Sequence, residues 1–170
     1  MATAIAAAAV AVGTRRTPWP ALRSVSWSVL VLVGALFILV EGLVGTGVVG
    51  MLGDALRDAA AASITGAAWT AGAVVAVLCN LVNNLPAGLV AGSVVRIADV
   101  ALPIRSAVLL GIDLGPNLSV TGSLATLLWL IAIRREGVQV SAGQFFRAGV
   151  VTMPISFLFA LTALLIGAPA

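Results

Sequence analysis

The sequence contains no histidine, tyrosine or lysine and only one cysteine, and charged residues make up 9% of its 170 positions. Without histidine, and with a single thiol, the chain has no Ser-His-Asp triad, disulfide framework or metal cluster of these ligands. We therefore expect no metal and no cofactor, and an enzyme is the least favoured class of function. The nine arginines form no basic run of the kind that binds nucleic acid, so no nucleic-acid partner is expected.

The chain consists mostly of apolar residues. They make up 61% of the chain, and the mean hydropathy is +1.18. This composition excludes both an ordinary soluble domain and a disordered chain. It predicts an all-α integral membrane protein that is surrounded by membrane lipid.

The apolar residues belong to one predicted membrane domain, residues 25–170. Residues 1–24 precede it and have the pattern of a truncated helix end followed by a charged, irregular loop. Within the domain, segments 25–44 and 148–166 each have about the 20 residues that cross a bilayer, and they are predicted as a simple span and as a span kinked by Pro154. A polar loop is predicted before the second span, over 139–147.

Segment 67–95 is uncharged over 29 residues, and as one helix it would be about 44 Å long against a hydrocarbon core of about 30 Å. Asn80, Asn83, Asn84 and Pro86 lie in its middle. The segment is either one tilted span with a polar kink or a re-entrant hairpin of two half-helices, each of roughly 14 residues.

The distribution of arginines separates these two readings. With a hairpin, six arginines lie on one side of the membrane and three on the other, whereas a single span gives five against four. Cytoplasmic loops are enriched in basic residues, so the hairpin is favoured and the N-terminus is predicted to be cytoplasmic. The three arginines on the opposite side are then Arg57, Arg96 and Arg105.

Segment 106–133 carries a single charge, Asp113, yet it cannot form one smooth helix. Pro116 lacks an amide hydrogen and clashes with the preceding turn, and Gly115 is a weak helix former, so a break is predicted near Leu114 to Asn117. Opened backbone at membrane depth persists only where protein or a water-filled cavity covers it. Two polar breaks in successive long segments are typical of transporters with discontinuous helices.

Polar side chains around the two breaks are candidates for binding a solute. In lipid their hydrogen-bonding groups would stay unpaired at a high cost, so they must face protein, water or a solute. A half-helix that starts at a break also directs free amides into a cavity. The alternatives are that the asparagines join neighbouring helices and that serine and threonine bond to their own helix carbonyls. The candidates are Asn80, Asn83, Asn84, Asn117, Thr121 and Ser123, together with Gly115 at the second break.

Asp113 is the one carboxylate inside the two long segments. A proton-coupled carrier needs a group whose charge changes as its site turns between the two membrane faces, so Asp113 is a candidate for proton coupling. The alternative is that Asp113 lies shallow in the membrane or pairs with Arg105. Cys79, beside Asn80, is expected to behave as a small hydrophobe.

Three stretches of the chain carry a family resemblance: Asn83-Asn84-Leu85-Pro86-Ala87, Asp113-Leu114-Gly115-Pro116-Asn117-Leu118, and Gly122-Ser123-Leu124-Ala125-Thr126-Leu127-Leu128-Trp129. They closely resemble the C-terminal half of arsenical pump membrane proteins, the arsenite and antimonite efflux carriers of the ion transporter superfamily. The resemblance includes Val40-Glu41-Gly42-Leu43 and runs from about Trp27 to the last predicted span.

The resemblance implies a scaffold of two inverted repeats, each with a re-entrant hairpin and a broken helix, and a solute site where hairpin tips meet breaks. Carried over to this sequence, Asn83 and Asn84 lie at a hairpin tip, and Gly115, Pro116 and Asn117 lie at the helix break. The implied function is export of trivalent arsenic or antimony hydroxide across the bacterial inner membrane by a multi-pass carrier. Proton exchange or a partner ATPase would drive it.

Family members are longer than this chain, and their first repeat is absent from it, so we expect a fragment that holds the C-terminal repeat. Its expected partners are the missing N-terminal repeat, an ATPase subunit or a second copy of the chain. One alternative is a carrier of the same superfamily for a carboxylate or for sodium and protons. A carboxylate site would use a cation or helix N-termini, and no arginine falls within the predicted membrane interior. Another alternative is a non-transporting remnant or accessory subunit.

Overall fold

The computed structural model describes residues 27–167, and every regular element in that range is helical. The described residues form two units, divided after Ala35, and the candidate site lies entirely within the second unit. The predicted segment 1–24 lies outside the described residues. The helices are α1 (Trp27–Gly45), α2 (Val48–Ala62), α3 (Ile64–Val82), α4 (Asn84–Ala98), α5 (Leu102–Leu114), α6 (Leu124–Arg135) and α7 (Ala142–Gly167), with a 3-10 turn (Gly115–Leu118) after α5.

The chain is an all-α membrane protein. By length and composition, α3 and α7 are each able to cross a membrane, and the Gly34–Gly45 part of α1 qualifies together with α2, although the two are bent by 70°. Large apolar side chains point outward along these helices: Leu81 is 74% exposed and Phe159 is 69% exposed. An apolar exterior of this extent suits lipid, because soluble proteins rarely expose large contiguous apolar patches.

The bend between α1 and α2 lies at Thr46 and Gly47. Gly47 has φ +82°, a conformation that residues with a side chain rarely adopt, and the Thr46 hydroxyl donates to the carbonyl of Leu43 at 2.6 Å. After the bend, α2 reaches the end of α4, where Arg57 Nη2 donates to the carbonyl oxygen of Ile97 at 2.9 Å. This bond satisfies one of the carbonyls that a helix leaves unpaired at its C-terminus.

α3 and α4 form a helical hairpin with Asn83 at its tip. Residues at equal distances from Asn83 pack in one cluster: buried Cys79 with Ala87, and Val75 with Ala91. In a single helix Val75 and Ala91 would be about 24 Å apart. The packing therefore shows that the chain folds back at Asn83 and excludes the single tilted span, while the re-entrant placement of the hairpin in the membrane stays a prediction. At 19 residues, α3 is longer than the half-helix that the sequence predicts.

α5 packs against α3 along a seam of small residues. A Cβ added at Gly111 would lie 2.4 Å from the carbonyl oxygen of Gly72, and one added at Gly115 would lie 2.4 Å from the Cα of Ala76. Small residues permit this approach of two helix backbones, which is a common way for membrane helices to associate. The seam places the start of the second break directly beside the last turns of α3.

α7 begins at Ala142, so residues 142–147 of the predicted polar loop are helical. Ser141 and Gln144 explain the early start because they form a capping box. The Gln144 amide donates to Ser141 Oγ at 3.2 Å, and the Ser141 amide donates to Gln144 Oε1 at 2.9 Å. Pro154 lies inside α7, in the part of the helix that the sequence predicts as a span.

Candidate functional site

The second helix break occupies residues 115–123, between α5 and α6. It opens with the 3-10 turn that contains Pro116 and ends where Ser123 caps α6, with Ser123 Oγ accepting from the amide of Ala125 at 3.1 Å. The break predicted near Leu114 to Asn117 is therefore confirmed. It extends further along the chain than predicted.

Asn80 ties this break to α3. Its Nδ2 donates to the carbonyl oxygens of Ala76 and Gly115, both at 2.8 Å, and its Oδ1 accepts from Ser119 Oγ at 2.8 Å. Both donor hydrogens and the amide oxygen are thus used inside the protein. In this arrangement the Asn80 side chain braces the break, as the packing alternative for the asparagines anticipates.

The tip of the hairpin is bonded to the same break. The Asn84 amide donates to the carbonyl of Gly122 at 2.8 Å, and Asn83 Nδ2 donates to the carbonyl of Thr121 at 3.2 Å. Thr121 Oγ1 in turn donates to the carbonyl of Asn80 at 3.1 Å. Gly122 leaves no room for a side chain, because a Cβ there would lie 2.8 Å from Asn80 Oδ1. The structure therefore brings the two polar breaks into direct contact.

Asn83 makes the hairpin corner in an unusual backbone conformation. Its φ is 76° and its ψ is 150°, a region that is nearly reserved for glycine and costs about 1–3 kcal/mol for other residues. Asn83 Oδ1 accepts from the amide of Leu85 at 3.2 Å, so the same side chain caps α4 and reaches Thr121. The corner is held in place by contacts on both sides of it.

Two polar side chains at this junction keep groups that a solute could use. Asn84 is half-buried, and its side-chain amide makes no hydrogen bond with any described residue. Thr121 is exposed, and its hydroxyl keeps acceptor capacity after donating to Asn80. The junction between tip and break is thus polar and partly open, and neither the tip (80–84) nor the break carries a charged side chain.

Asn117 lies on the other side of the break, facing α7. Its Nδ2 donates to the carbonyls of Asp113 and Leu114, at 3.3 and 3.1 Å, and so caps the end of α5. Within residues 27–167 no hydrogen bond joins Asn117 to the hairpin tip. It borders a small cavity of about 200 Å³. That cavity is lined by Leu114, Asn117, Thr152, Met153 and Ser156.

Asp113 is exposed at the end of α5. The alternative in which it pairs with Arg105 is wrong, because Arg105 Nη2 bonds to Asp99 Oδ1 at 2.7 Å and Arg105 Nε donates to the carbonyl of Val100. Both contacts draw Arg105 toward the turn between α4 and α5. No other cation of the described part of the chain pairs with Asp113. Its role in proton coupling stays a prediction.

Cys79 is fully buried in the hairpin cluster, as expected of a small hydrophobe. Where the structure describes the chain, no three His, Cys, Asp or Glu side chains come close enough to hold a metal ion. The chemistry of the site is therefore that of uncharged amides, hydroxyls and backbone groups. Such groups bind and orient a solute.

Sequence reasoning missed Thr152 and Ser156 altogether, and it missed the contacts by which Ser119 and Gly122 shape this region. Ser119 bonds across to Asn80, whereas serine near a helix often bonds to carbonyls of its own helix. Thr152 and Ser156 had a usable signal, because they flank Pro154 in an apolar helix at a spacing of four residues and thus share one helix face. Gly122 had no such signal, since its role depends on how closely Asn80 approaches it.

The fold and site together define a class: an all-helical membrane protein in which the tip of a hairpin is bonded to the break of a discontinuous helix. Discontinuous helices at membrane depth are a known way for carriers to build solute sites.

Comparison with known proteins identifies the family. The profile of the arsenical pump membrane protein family matches residues 3–167. An arsenical pump membrane protein of Escherichia coli is 30% identical over 141 residues, which cover 80% of this chain and 33% of the relative. A putative arsenical pump membrane protein of Bacillus subtilis is 26% identical over 156 residues, 88% of this chain and 35% of the relative. An uncharacterised transporter of Mycobacterium tuberculosis is 31% identical over 148 residues, which cover 82% of this chain and 34% of the relative.

The chain belongs to the arsenical pump membrane protein family. The matched region spans about a third of the length of these curated relatives. No solved structure is significantly similar to the chain.

Proposed function

We propose that this chain forms part of a carrier that exports arsenite or antimonite across the bacterial inner membrane. The observation that carries the proposal is the bonded junction of the hairpin tip and the helix break, through Asn84 to Gly122 and Asn83 to Thr121. Two interrupted helices that meet in this way expose amides and hydroxyls where lipid would otherwise leave them unpaired. A bound solute would provide hydrogen-bond partners for these amides and hydroxyls.

The chemistry of the junction favours a neutral solute. Residues 80–84 and 115–123 include no arginine, aspartate or glutamate, so an anion would find no cation there. Arsenite and antimonite exist near neutral pH as uncharged hydroxides, which hydrogen-bond to amides and hydroxyls without a counter-charge. The relatives from E. coli and B. subtilis carry the arsenical pump name, which supports the same solute.

The roles of individual residues follow from their surroundings. Asn84, whose amide is not bonded within the described residues, and Asn117, on the opposite side of the break, bind the solute, and Asn80 holds the break in place. Asp113, exposed beside Asn117, exchanges a proton as the site turns between the two membrane faces.

The remaining partners follow from the length of the relatives. Since the matched region is about a third of each relative, we propose that this chain works together with further parts of a carrier. The candidates are the other repeat, a second copy of this chain, or an ATPase subunit. The carrier moves its solute without changing it chemically, so we do not assign it an enzyme activity.

Arsenite sensitivity tests the proposal in cells that lack their own efflux pump. The chain is expressed alone and together with the remaining two thirds of the E. coli relative, with membrane expression confirmed. We expect protection in at least one combination and its loss in Asn117→Ala. Ser93→Ala, a change on α4 away from both breaks, is the matched control and should protect like the wild type. If no combination protects, the arsenite assignment fails and another solute or a non-transporting role takes its place.

A further inference from the structure

The cavity between the break and α7 exists because α7 approaches the broken helix without a side chain in between. A Cβ added at Gly149 would lie 2.6 Å from the carbonyl oxygens of Asn117 and Leu118, so only glycine permits this contact. One turn further along α7, Thr152 and Ser156 share the helix face that turns toward Asn117. The half-open space of about 200 Å³ holds a solute of a few heavy atoms, since a water molecule takes about 30 Å³ in the liquid.

The hydrogen bonds already made in this cavity determine what a ligand would meet. Asn117 Nδ2 is occupied by the carbonyls at the end of α5, which leaves its Oδ1. The Thr152 hydroxyl donates to the carbonyl of Ala148 at 2.9 Å, which leaves its oxygen as an acceptor. Ser156 is exposed and makes no hydrogen bond with the described residues, so it can donate and accept. The cavity thus presents mainly acceptors, with Met153 and Leu114 as its apolar walls.

We infer that Asn117, Thr152 and Ser156 form a subsite that recognises the hydroxyl groups of a small neutral hydroxide. This inference rests on the proposed function, because it states that the carrier recognises its solute through the hydroxyl groups. Acceptors suit a ligand that brings several O–H donors. An oxyanion brings acceptors and charge instead, and it would meet one hydroxyl donor and no cation.

The subsite also sets the selectivity of the carrier. A site that hydrogen-bonds a hydroxyl favours a ligand that carries one over a ligand that lacks it, by about the worth of the bonds made, since Asn117, Thr152 and Ser156 are themselves exposed. Recognition through hydroxyl groups predicts that the central atom matters less than the number of O–H groups. Boric acid is therefore a useful probe, since it is a small neutral trihydroxide whose boron has no affinity for sulfur.

Equilibrium dialysis of the purified full chain in lipid nanodiscs tests the inference, with arsenite and boric acid as probes and metalloid content as the readout. We expect both to bind and to compete with each other, and arsenate and phosphate not to compete. Ser156→Ala and Thr152→Val each remove one hydroxyl, and each should weaken binding of both probes about 2- to 12-fold, the loss expected of one hydrogen bond. Ser93→Ala and Thr70→Val, which lie on α4 and α3 outside this cavity, should leave binding unchanged.

Two results overturn the inference. One is arsenite binding that boric acid does not displace, which would indicate recognition of arsenic itself. The other is binding that is unchanged in both Ser156→Ala and Thr152→Val, or absent in the wild type. Cell protection separates these failures from failure of the proposed function. If Ser156→Ala still protects cells, the subsite is rejected and the proposed carrier function is retained. If boric acid binding depends on Ser156 but no form protects cells, the subsite is retained and arsenite export is rejected.

Discussion

The two helix breaks of this protein differ in length and in how their backbone is stabilised. The first is a single residue, Asn83, which reverses the chain in a backbone conformation that is nearly reserved for glycine. The second occupies residues 115–123 and is held by hydrogen bonds from Asn80, Ser119 and Thr121. The comparison shows that the longer break, which we call the platform (residues 115–123 with Asn80), is fixed by side-chain hydrogen bonds. The shorter break at Asn83 is hydrogen-bonded to this platform. Platform residues should therefore affect stability most, and residues with unused polar groups should affect solute handling most.

Gly115→Ala should have the largest effect on stability. The added Cβ would lie 2.4 Å from the Cα of Ala76, and backbone cannot move aside as a flexible side chain can. We expect a loss of about 3 kcal/mol or more, seen as poor yield or a strongly lowered Tm in detergent. Gly92→Ala is the matched control: nothing lies within 4 Å of the added Cβ, and alanine favours the helix by up to about 1 kcal/mol. Equal Tm values for the two variants would contradict the close seam between α3 and α5.

Asn80→Ala should come next. It leaves the carbonyl of Gly115 and the hydroxyl of Ser119 without their partner, at a cost of about 1–3 kcal/mol. Thermal unfolding followed by fluorescence measures the change. An unchanged Tm would show that Asn80 is not a brace and would return it to the candidates for binding solute.

Variants of Asn83 measure the strain at the corner. Asn83→Ala loses the bonds to Thr121 and Leu85 and keeps a φ of 76°, whereas Asn83→Gly loses the same bonds and adopts that φ without penalty. We expect the glycine variant to be more stable than the alanine variant by about 1 kcal/mol. A more stable alanine variant would contradict the conformation assigned to the tip.

Asn84→Ala should have the smallest effect on stability, within about 0.5 kcal/mol, because its side chain bonds to no described residue and its backbone bond to Gly122 is kept. Its effect should appear in arsenite handling instead. A stability loss as large as that of Asn80→Ala would place Asn84 in the platform and remove it from the solute site.

Much of this organisation could be read from composition and from helix breakers. Pro116 and Gly115 located the second break, and the asparagines located the first, because uncompensated polar groups and proline have few tolerated places in a membrane helix. The distribution of arginines favoured a hairpin over a single span, and the cluster that holds Cys79 and Ala87 shows that the chain folds back there.

The sequence could not show which of several similar side chains are hydrogen-bonded within the protein and which are free to bind a solute. Asn80, Asn84 and Asn117 look alike in the sequence, yet one is fully bonded inside the protein, one has an unbonded side chain, and one turns toward α7. These differences depend on contacts between residues 30 or more positions apart, such as Asn80 with Gly115 and Ser119. Local patterns carry no record of such contacts. The early start of α7 was readable, since Ser141 and Gln144 have the spacing of a capping box.

The most direct test of the central claim is uptake of radiolabelled arsenite by everted membrane vesicles from pump-deficient cells. The vesicles contain this chain with the remaining two thirds of the E. coli relative, in wild-type, Asn84→Ala and Ser93→Ala forms at matched expression. We predict time-dependent uptake by the wild type and by Ser93→Ala, and none by Asn84→Ala. Uptake that Asn84→Ala retains in full, or its absence in every form, would contradict a solute site at the junction of the hairpin tip and the helix break.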